Sequence, residues 1–167
     1  ELDYLSIESG FSLITHQARK KLVSLEFSQI QEIYRLSGGL PLAMSYSVGY
    51  ISVHRQLPTL KRTQKNQPPS EIAQYCVEAS LMQLKSETAR NLLMAGTLFY
   101  DKFSQESVAY VSALSNQQID SVKQEFSDLY RLSLINRVDS TYYSMHAFTQ
   151  DCLIAELEQK ISFRKQA

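Results

Sequence analysis

The chain of 167 residues has no tryptophan, only two cysteines, and no net charge, since 17 basic residues balance 17 acidic ones. This balance gives no indication of a nucleic acid or a membrane surface as partner. Cys76 and Cys152 are isolated and match neither a disulfide framework nor metal-ligand spacing, so we interpret them as reduced thiols of a cytoplasmic protein. The longest strongly apolar stretch, residues 92–100, is shorter than the roughly 20 residues of a membrane helix.

The sequence also lacks the elements of a complete nucleotide-hydrolysing site. No Gly-x-x-x-x-Gly-Lys-Ser/Thr phosphate loop occurs, and no strand ends in paired acids that could hold Mg²⁺. Because phosphoryl transfer depends on that phosphate cradle, the metal and a positioned water, we expect no ATP hydrolysis by this chain alone. His16, His54 and His146 have no ligand-like spacing, so we expect no metal site.

What the sequence does contain is a series of short helices with recognisable ends. Ser6 is the predicted N-cap of the first helix. Ser28 and Gln31 have the spacing of a capping box at the start of the second. Gly38 is expected to end that helix in the left-handed conformation, and Pro41 to begin the next one.

A change of composition divides the chain. Residues 55–70 contain three prolines and four cations without an acid, which is typical of a loop. We place the main boundary near this segment, or within the helix that follows it at about residues 70–84. The predicted domains are a helical domain at residues 1–75 and a second domain at residues 76–167.

The second half follows a different order. We predict three helices, with Ser104 capping the middle one, then a β-hairpin formed by residues 133–138 and 142–145, and a last helix at about residues 147–160. This order is typical of a winged-helix domain with an added C-terminal helix. The predicted fold is therefore mainly α, with a small helical bundle followed by a winged-helix domain that contains one short β-hairpin.

A winged helix raises the alternative of a transcriptional regulator that binds DNA. Its third helix, at about residues 117–131, carries two cations and three acids. DNA binding relies on lysine and arginine to neutralise phosphates, so this helix disfavours DNA as a partner. A protein-interaction adaptor that uses no nucleotide is a further alternative.

Two short motifs carry the functional hypothesis. The sequence Gly-Gly-Leu-Pro-Leu-Ala at residues 38–43 indicates a chain reversal, in which two glycines let the backbone pass close to a neighbour and the proline opens a helix. The sequence Met-His-Ala at residues 145–147 places an imidazole where a strand passes into a helix. Each motif also has a purely structural explanation, as helix stop and start signals and as a capping histidine.

Together these motifs resemble the Gly-Leu-Pro-Leu and Met-His-Asp elements of the NB-ARC ATPases, the nucleotide-switched signalling proteins of the STAND class. Residues 1–75 resemble their small helical (ARC1) domain, and residues 76–167 their winged-helix (ARC2) domain. The resemblance implies a piece of a longer cytoplasmic ATPase. An upstream domain would bind ADP or ATP with Mg²⁺, and downstream sensor repeats would complete the protein. Exchange of ADP for ATP would release the domains, allowing the protein to oligomerise and activate an effector.

The resemblance also implies which residues contact the nucleotide. Pro41 would lie against the adenine base, with Leu40 and Leu42 as neighbouring apolar packing. His146 would donate a hydrogen bond to the β-phosphate of ADP. Ala147 stands where the family has aspartate, and alanine cannot accept a hydrogen bond at the helix N-terminus. We therefore expect some contacts of the ADP-bound state to be missing or supplied differently.

Overall fold

The computed structural model describes residues 4–57, 69–112 and 119–166. Most of the loop predicted at residues 55–70 lies outside this part. The described helices are α1 Ile7–Lys20, α2 Phe27–Ser37, α3 Pro41–His54, α4 Pro69–Met82, α5 Glu87–Gly96, α6 Gln105–Val111, α7 Ile119–Arg131 and α8 Ala147–Gln166. The strands are β1 Lys102–Ser104, β2 Asn136–Arg137 and β3 Tyr142–Ser144. The prediction of a mainly α protein with a short hairpin is confirmed. None of the described helices has the length and apolar character needed to cross a bilayer.

The chain forms two compact units. The first consists of Glu1–Met82 together with the short segment Arg131–Ser133, and the second of Gln83–Tyr130 and Leu134–Ala167. The first unit is built from α1 to α4, and all three strands belong to the second. The division into functional domains after residue 75 stays a prediction.

Three predicted helix ends are confirmed. The Ser6 hydroxyl accepts the backbone N–H of Ser9 at 3.3 Å and caps α1. Gly38, with φ 60° and ψ 23°, ends α2 in the left-handed conformation. The Ser104 hydroxyl accepts the N–H of Ser107 at 3.1 Å and caps α6. Local side-chain chemistry therefore sets these boundaries, as expected of capping residues.

The predicted start of α2 is wrong by two residues. The capping box is formed by Glu26 and Gln29, and the Glu26 N–H donates to Gln29 Oε1 at 2.8 Å. Ser28 and Gln31 have the same spacing, so spacing alone did not distinguish the pairs. The ring of Phe27 packs against α1, and this tertiary contact accompanies the earlier start of the helix.

The core of the first unit surrounds α3. This helix is buried on several sides, because α1, α2 and α4 all pack against it. The completely or almost completely buried side chains include Ile14, Ile33, Met44, Tyr46 and Val48. The Gly-Gly-Leu-Pro motif thus lies at the start of a helix that is buried on several sides.

The segment Arg131–Ser133 completes the first unit by packing on α3. The Ser133 hydroxyl donates to the carbonyl of Ser45 at 2.7 Å, and the Ser52 hydroxyl lies 3.2 Å from the carbonyl of Arg131. A Cβ atom on Gly49 would meet Ser133 Oγ at 2.6 Å and the Arg131 carbonyl oxygen at 2.9 Å. The absence of a side chain at residue 49 therefore permits this backbone approach.

The second unit contains a three-stranded antiparallel sheet in the order β1-β3-β2. The predicted hairpin is confirmed as β2 and β3, with shorter strands than expected. Strand β1 was not predicted, because three residues are too few to show an alternating pattern. It pairs with β3 so that Phe103 lies opposite Tyr143. The ring of Phe103 lies 6.4 Å from that of Phe126 on α7.

We predict that Gly49→Ala destabilises the protein by about 1–3 kcal/mol, because the new methyl group meets backbone atoms that cannot rotate away. Gly96→Ala is the matched control. A Cβ there would meet the flexible end of Met145 at 3.2 Å, so we expect a change within about 1 kcal/mol. Urea denaturation measures both unfolding free energies, and equal effects would contradict the proposed backbone clash.

Candidate functional site

The reversal before α3 is formed by two glycines with positive φ, 60° at Gly38 and 86° at Gly39. The Leu5 N–H donates to the Gly39 carbonyl at 2.9 Å. A Cβ atom on Gly39 would lie 3.3 Å from the Leu5 carbonyl oxygen. The segment that Gly39 approaches closely is therefore the one that precedes α1.

The same segment is held from a second side. The Tyr34 hydroxyl donates to the Leu5 carbonyl at 2.9 Å, and the Ser37 hydroxyl donates to the Tyr34 carbonyl at 2.9 Å. The Leu40 N–H closes the turn on the Ser37 carbonyl at 3.1 Å. These bonds fix the path of the backbone into α3 and hence the position of Pro41. The sequence did not predict the contact between Leu5 and Tyr34, because their pairing is long-range and has no local signature.

Pro41 is the first residue of α3, where its missing N–H leaves no helical hydrogen bond unmade. It is partly exposed, whereas Leu40 and Leu42 are only 1% and 9% exposed. The two leucine side chains pack inside their own unit, so Pro41 offers the accessible apolar surface of the motif. The nucleotide contacts of all three residues stay predictions.

His146 lies between β3 and α8 and caps that helix. Its Nδ1 accepts the N–H of Phe148 at 3.2 Å, and its carbonyl accepts the N–H of Gln150 at 3.0 Å. Because Nδ1 is the acceptor, the neutral ring carries its proton on Nε2. The residue is exposed overall, yet desolvation of its ring lowers the pKa of His146 below 6.5. The neutral form with an available Nε2–H donor therefore predominates at pH 7.

Polar contacts within the second unit hold the helix that His146 caps. Gln150 Nε2 donates to the Thr97 carbonyl at 2.6 Å, and Arg90 pairs with Glu156 at 3.4 Å. The buried side chain of Leu153 adds an apolar contribution to the packing of α8. The imidazole therefore lies at the start of a helix that contacts α5 through an ion pair and the adjoining Thr97 through a hydrogen bond.

The four candidate nucleotide contacts fall in both units. Leu40, Pro41 and Leu42 are consecutive residues at the start of α3 in the first unit, and His146 belongs to the second. Within the described residues, no group of three His, Cys, Asp or Glu side chains is placed to hold a metal ion. Burial raises the pKa of Cys76 to about 12, so this thiol is protonated at neutral pH and is a poor nucleophile.

Comparisons with known proteins give a distant structural likeness. No known protein family and no curated protein matches the chain. Among solved structures, the chain is similar to the Walker-type ATPase PABY2304 of Pyrococcus abyssi, with a TM-score of 0.41 and 15% sequence identity. The match covers 90% of this chain and 42% of that one, so the chain spans less than half of that ATPase. A likeness at this level carries no functional argument.

We predict that Gly39→Ala destabilises the protein by about 1–3 kcal/mol, because alanine disfavours a positive φ. Gly38→Asn is the control, since asparagine adopts the left-handed conformation with little strain and should change stability by less than about 1 kcal/mol. Thermal and urea unfolding check both variants. A larger loss in Gly38→Asn than in Gly39→Ala would contradict the role given to the second glycine.

The capping bond of His146 predicts a loss of stability on acidification. Because the folded-state pKa lies below that of the unfolded chain, the unfolded state binds more protons as pH falls through about 6.5. Protonation also removes the Nδ1 acceptor. We expect the thermal midpoint of the wild type to fall more between about pH 7.5 and about pH 5.5 than that of His146→Asn, which keeps an acceptor without titrating.

His16→Asn provides the control for that experiment, because His16 is also exposed but caps no helix. At about pH 7.5, His146→Ala should cost about 0.5–1 kcal/mol, the lower part of the range for side-chain caps. If His16→Asn reduced the pH dependence of the thermal midpoint as strongly as His146→Asn, the His146 cap would not be the origin of that dependence.

Proposed function

We propose that the chain is the lid and sensor part of a nucleotide-dependent signalling switch of the NB-ARC type. In this proposal the first unit is the ARC1-like domain. The second, with three helices, a three-stranded sheet and α8, is the winged-helix domain. An upstream domain supplies the phosphate loop and Mg²⁺. Exchange of ADP for ATP then changes the arrangement of the domains, allowing the protein to oligomerise and activate an effector.

The observation that carries the proposal is the hydrogen bond that His146 Nδ1 accepts from the Phe148 N–H at 3.2 Å. With Nδ1 engaged in this way, the ring has one remaining function, the Nε2–H donor, which makes no hydrogen bond within the described part of the chain. A phosphate oxygen is an acceptor and matches that donor. The cap also restrains the ring before any ligand arrives, which reduces the conformational entropy lost on binding. The residue thus has the chemistry to bind a phosphate oxygen of a nucleotide.

Pro41 supplies the second argument. Its partly exposed ring begins a helix whose position is set by the bonds between Leu5 and the Gly-Gly turn. A fixed apolar surface suits contact with an adenine base, because little ordering is needed on binding. Leu40 and Leu42 then contribute by holding Pro41 in place from the core.

The test is calorimetry of ADP and ATP binding to the parent protein. His146→Ala should weaken ADP binding by about tenfold or more, the value of a hydrogen bond to a charged group, and ATP binding less. Pro41→Ala should weaken both nucleotides by roughly threefold to tenfold, since the base is common to them. A parent protein without a phosphate-loop domain would overturn the proposal.

Two matched variants distinguish binding effects from folding effects. Asn91→Ala removes an exposed polar side chain of the second unit, and Pro69→Ala changes the proline at which α4 begins. Neither should change nucleotide affinity. If both candidate variants folded normally and bound ADP as the wild type does, the two motifs would be structural. The adaptor and regulator alternatives would then be favoured.

A further inference from the structure

A surface groove lies between α1 and α2 of the first unit. Its volume is about 440 Å³, which lies in the range of roughly 300–1,000 Å³ found for small-molecule sites. The lining residues are Phe11, Ser12, Thr15, His16, Arg19, Phe27 and Ile30. None of the functions proposed above uses this groove, and its lining combines an aromatic part with a polar one.

The aromatic part is a corner formed by two nearly perpendicular rings. The centroids of Phe11 and Phe27 lie 5.7 Å apart with an interplanar angle of 85°. Tyr34 packs on Phe11 at 5.7 Å and 82°, and so supports that ring from the unit's interior. Phe27 is 63% exposed. A third aromatic ring entering this corner can contact the face of one phenylalanine and the edge of the other, which are the arrangements aromatic pairs prefer.

The polar part follows one face of α1. Ser12, His16 and Arg19 recur at i, i+4 and i+7 and are all exposed. Within the described part of the chain, the side chains of these three residues make no hydrogen bond or ion pair, whereas the Thr15 hydroxyl donates to the Phe11 carbonyl at 2.8 Å. Among the described residues none that lines the groove is acidic, and Glu8 lines a neighbouring pocket together with Ser12 and His16. The polar side of the groove therefore offers donors and a positive charge to an anion.

We propose that this groove binds an aromatic anion, with the ring against Phe11 and Phe27 and the anionic group at Arg19. A guanidinium forms charge-assisted hydrogen bonds with carboxylate and phosphate oxygens, and His16 and Ser12 are further donors along the same face. The same chemistry is presented by a free aryl phosphate and by a phosphotyrosine side chain. The proposal does not rest on the nucleotide switch, because the groove lining contains none of the four candidate nucleotide contacts.

The first experiment titrates the 167-residue chain with phenyl phosphate, followed by ¹H–¹⁵N NMR. We expect amide shifts confined to α1 and α2. Benzyl alcohol, which lacks the charge, and inorganic phosphate, which lacks the ring, should bind more weakly. Equal binding of benzyl alcohol and phenyl phosphate, or shifts spread over the whole chain, would overturn the proposal.

Variants then assign the two halves of the site. Arg19→Gln should weaken phenyl phosphate binding by roughly two- to fivefold, the range for an exposed ion pair. Lys20→Gln removes the same charge from the adjacent exposed residue, outside the groove lining, and should have no effect. Equal losses in both variants would reveal general electrostatic attraction and overturn the assignment.

The aromatic half is tested by Phe27→Ala, which should weaken binding by roughly threefold to tenfold. Leu22→Ala is its control, because Leu22 is 89% exposed and lies outside the groove lining. Thermal unfolding of each variant confirms that it folds. A phosphotyrosine peptide that binds more tightly than phenyl phosphate would support a protein side chain as the ligand. Weaker binding of the peptide than of phenyl phosphate would support a free aryl acid as the ligand. If neither the peptide nor phenyl phosphate bound, the proposal would be overturned.

Discussion

The two hydrogen bonds to the backbone of Leu5 are the constraint on which the first unit and its motif depend. Its N–H is bound by the carbonyl of Gly39 and its own carbonyl by the Tyr34 hydroxyl. The chain before α1 is thereby fixed to the last turn of α2 and to the α2–α3 connection. Glycine adopts the positive φ at residue 39 without strain, and a Cβ atom there would lie 3.3 Å from the Leu5 carbonyl oxygen. The position of Pro41 follows from these contacts.

A comparable constraint operates in the second unit, where His146 has two roles. As a cap, it satisfies an N–H at the start of α8 that has no helical partner. By accepting that bond, its ring becomes fixed in the tautomer that leaves Nε2–H free. The structural explanation of the histidine and the functional one are therefore compatible, since the bond that caps the helix also prepares the donor.

Much of the fold was predictable because its signals are local. Ser6, Gly38 and Ser104 end or begin helices through contacts with residues a few positions away, so their identity and spacing are sufficient. The start of α2 was not predictable in this way, because Glu26 and Ser28 both begin pairs with capping-box spacing. Strand β1 was missed since its three residues form a strand only through pairing with β3.

The sequence by itself determined the helical class, the hairpin, and the places where Pro41 and His146 stand in their elements, because helix caps and turns depend on neighbouring residues. Tertiary structure alone decided that Leu5 receives the Gly-Gly turn and that Leu40 and Leu42 are buried beside an accessible proline. It also decided the tautomer of His146. These properties depend on the distance and orientation of particular atoms, which residue spacing along the chain does not specify.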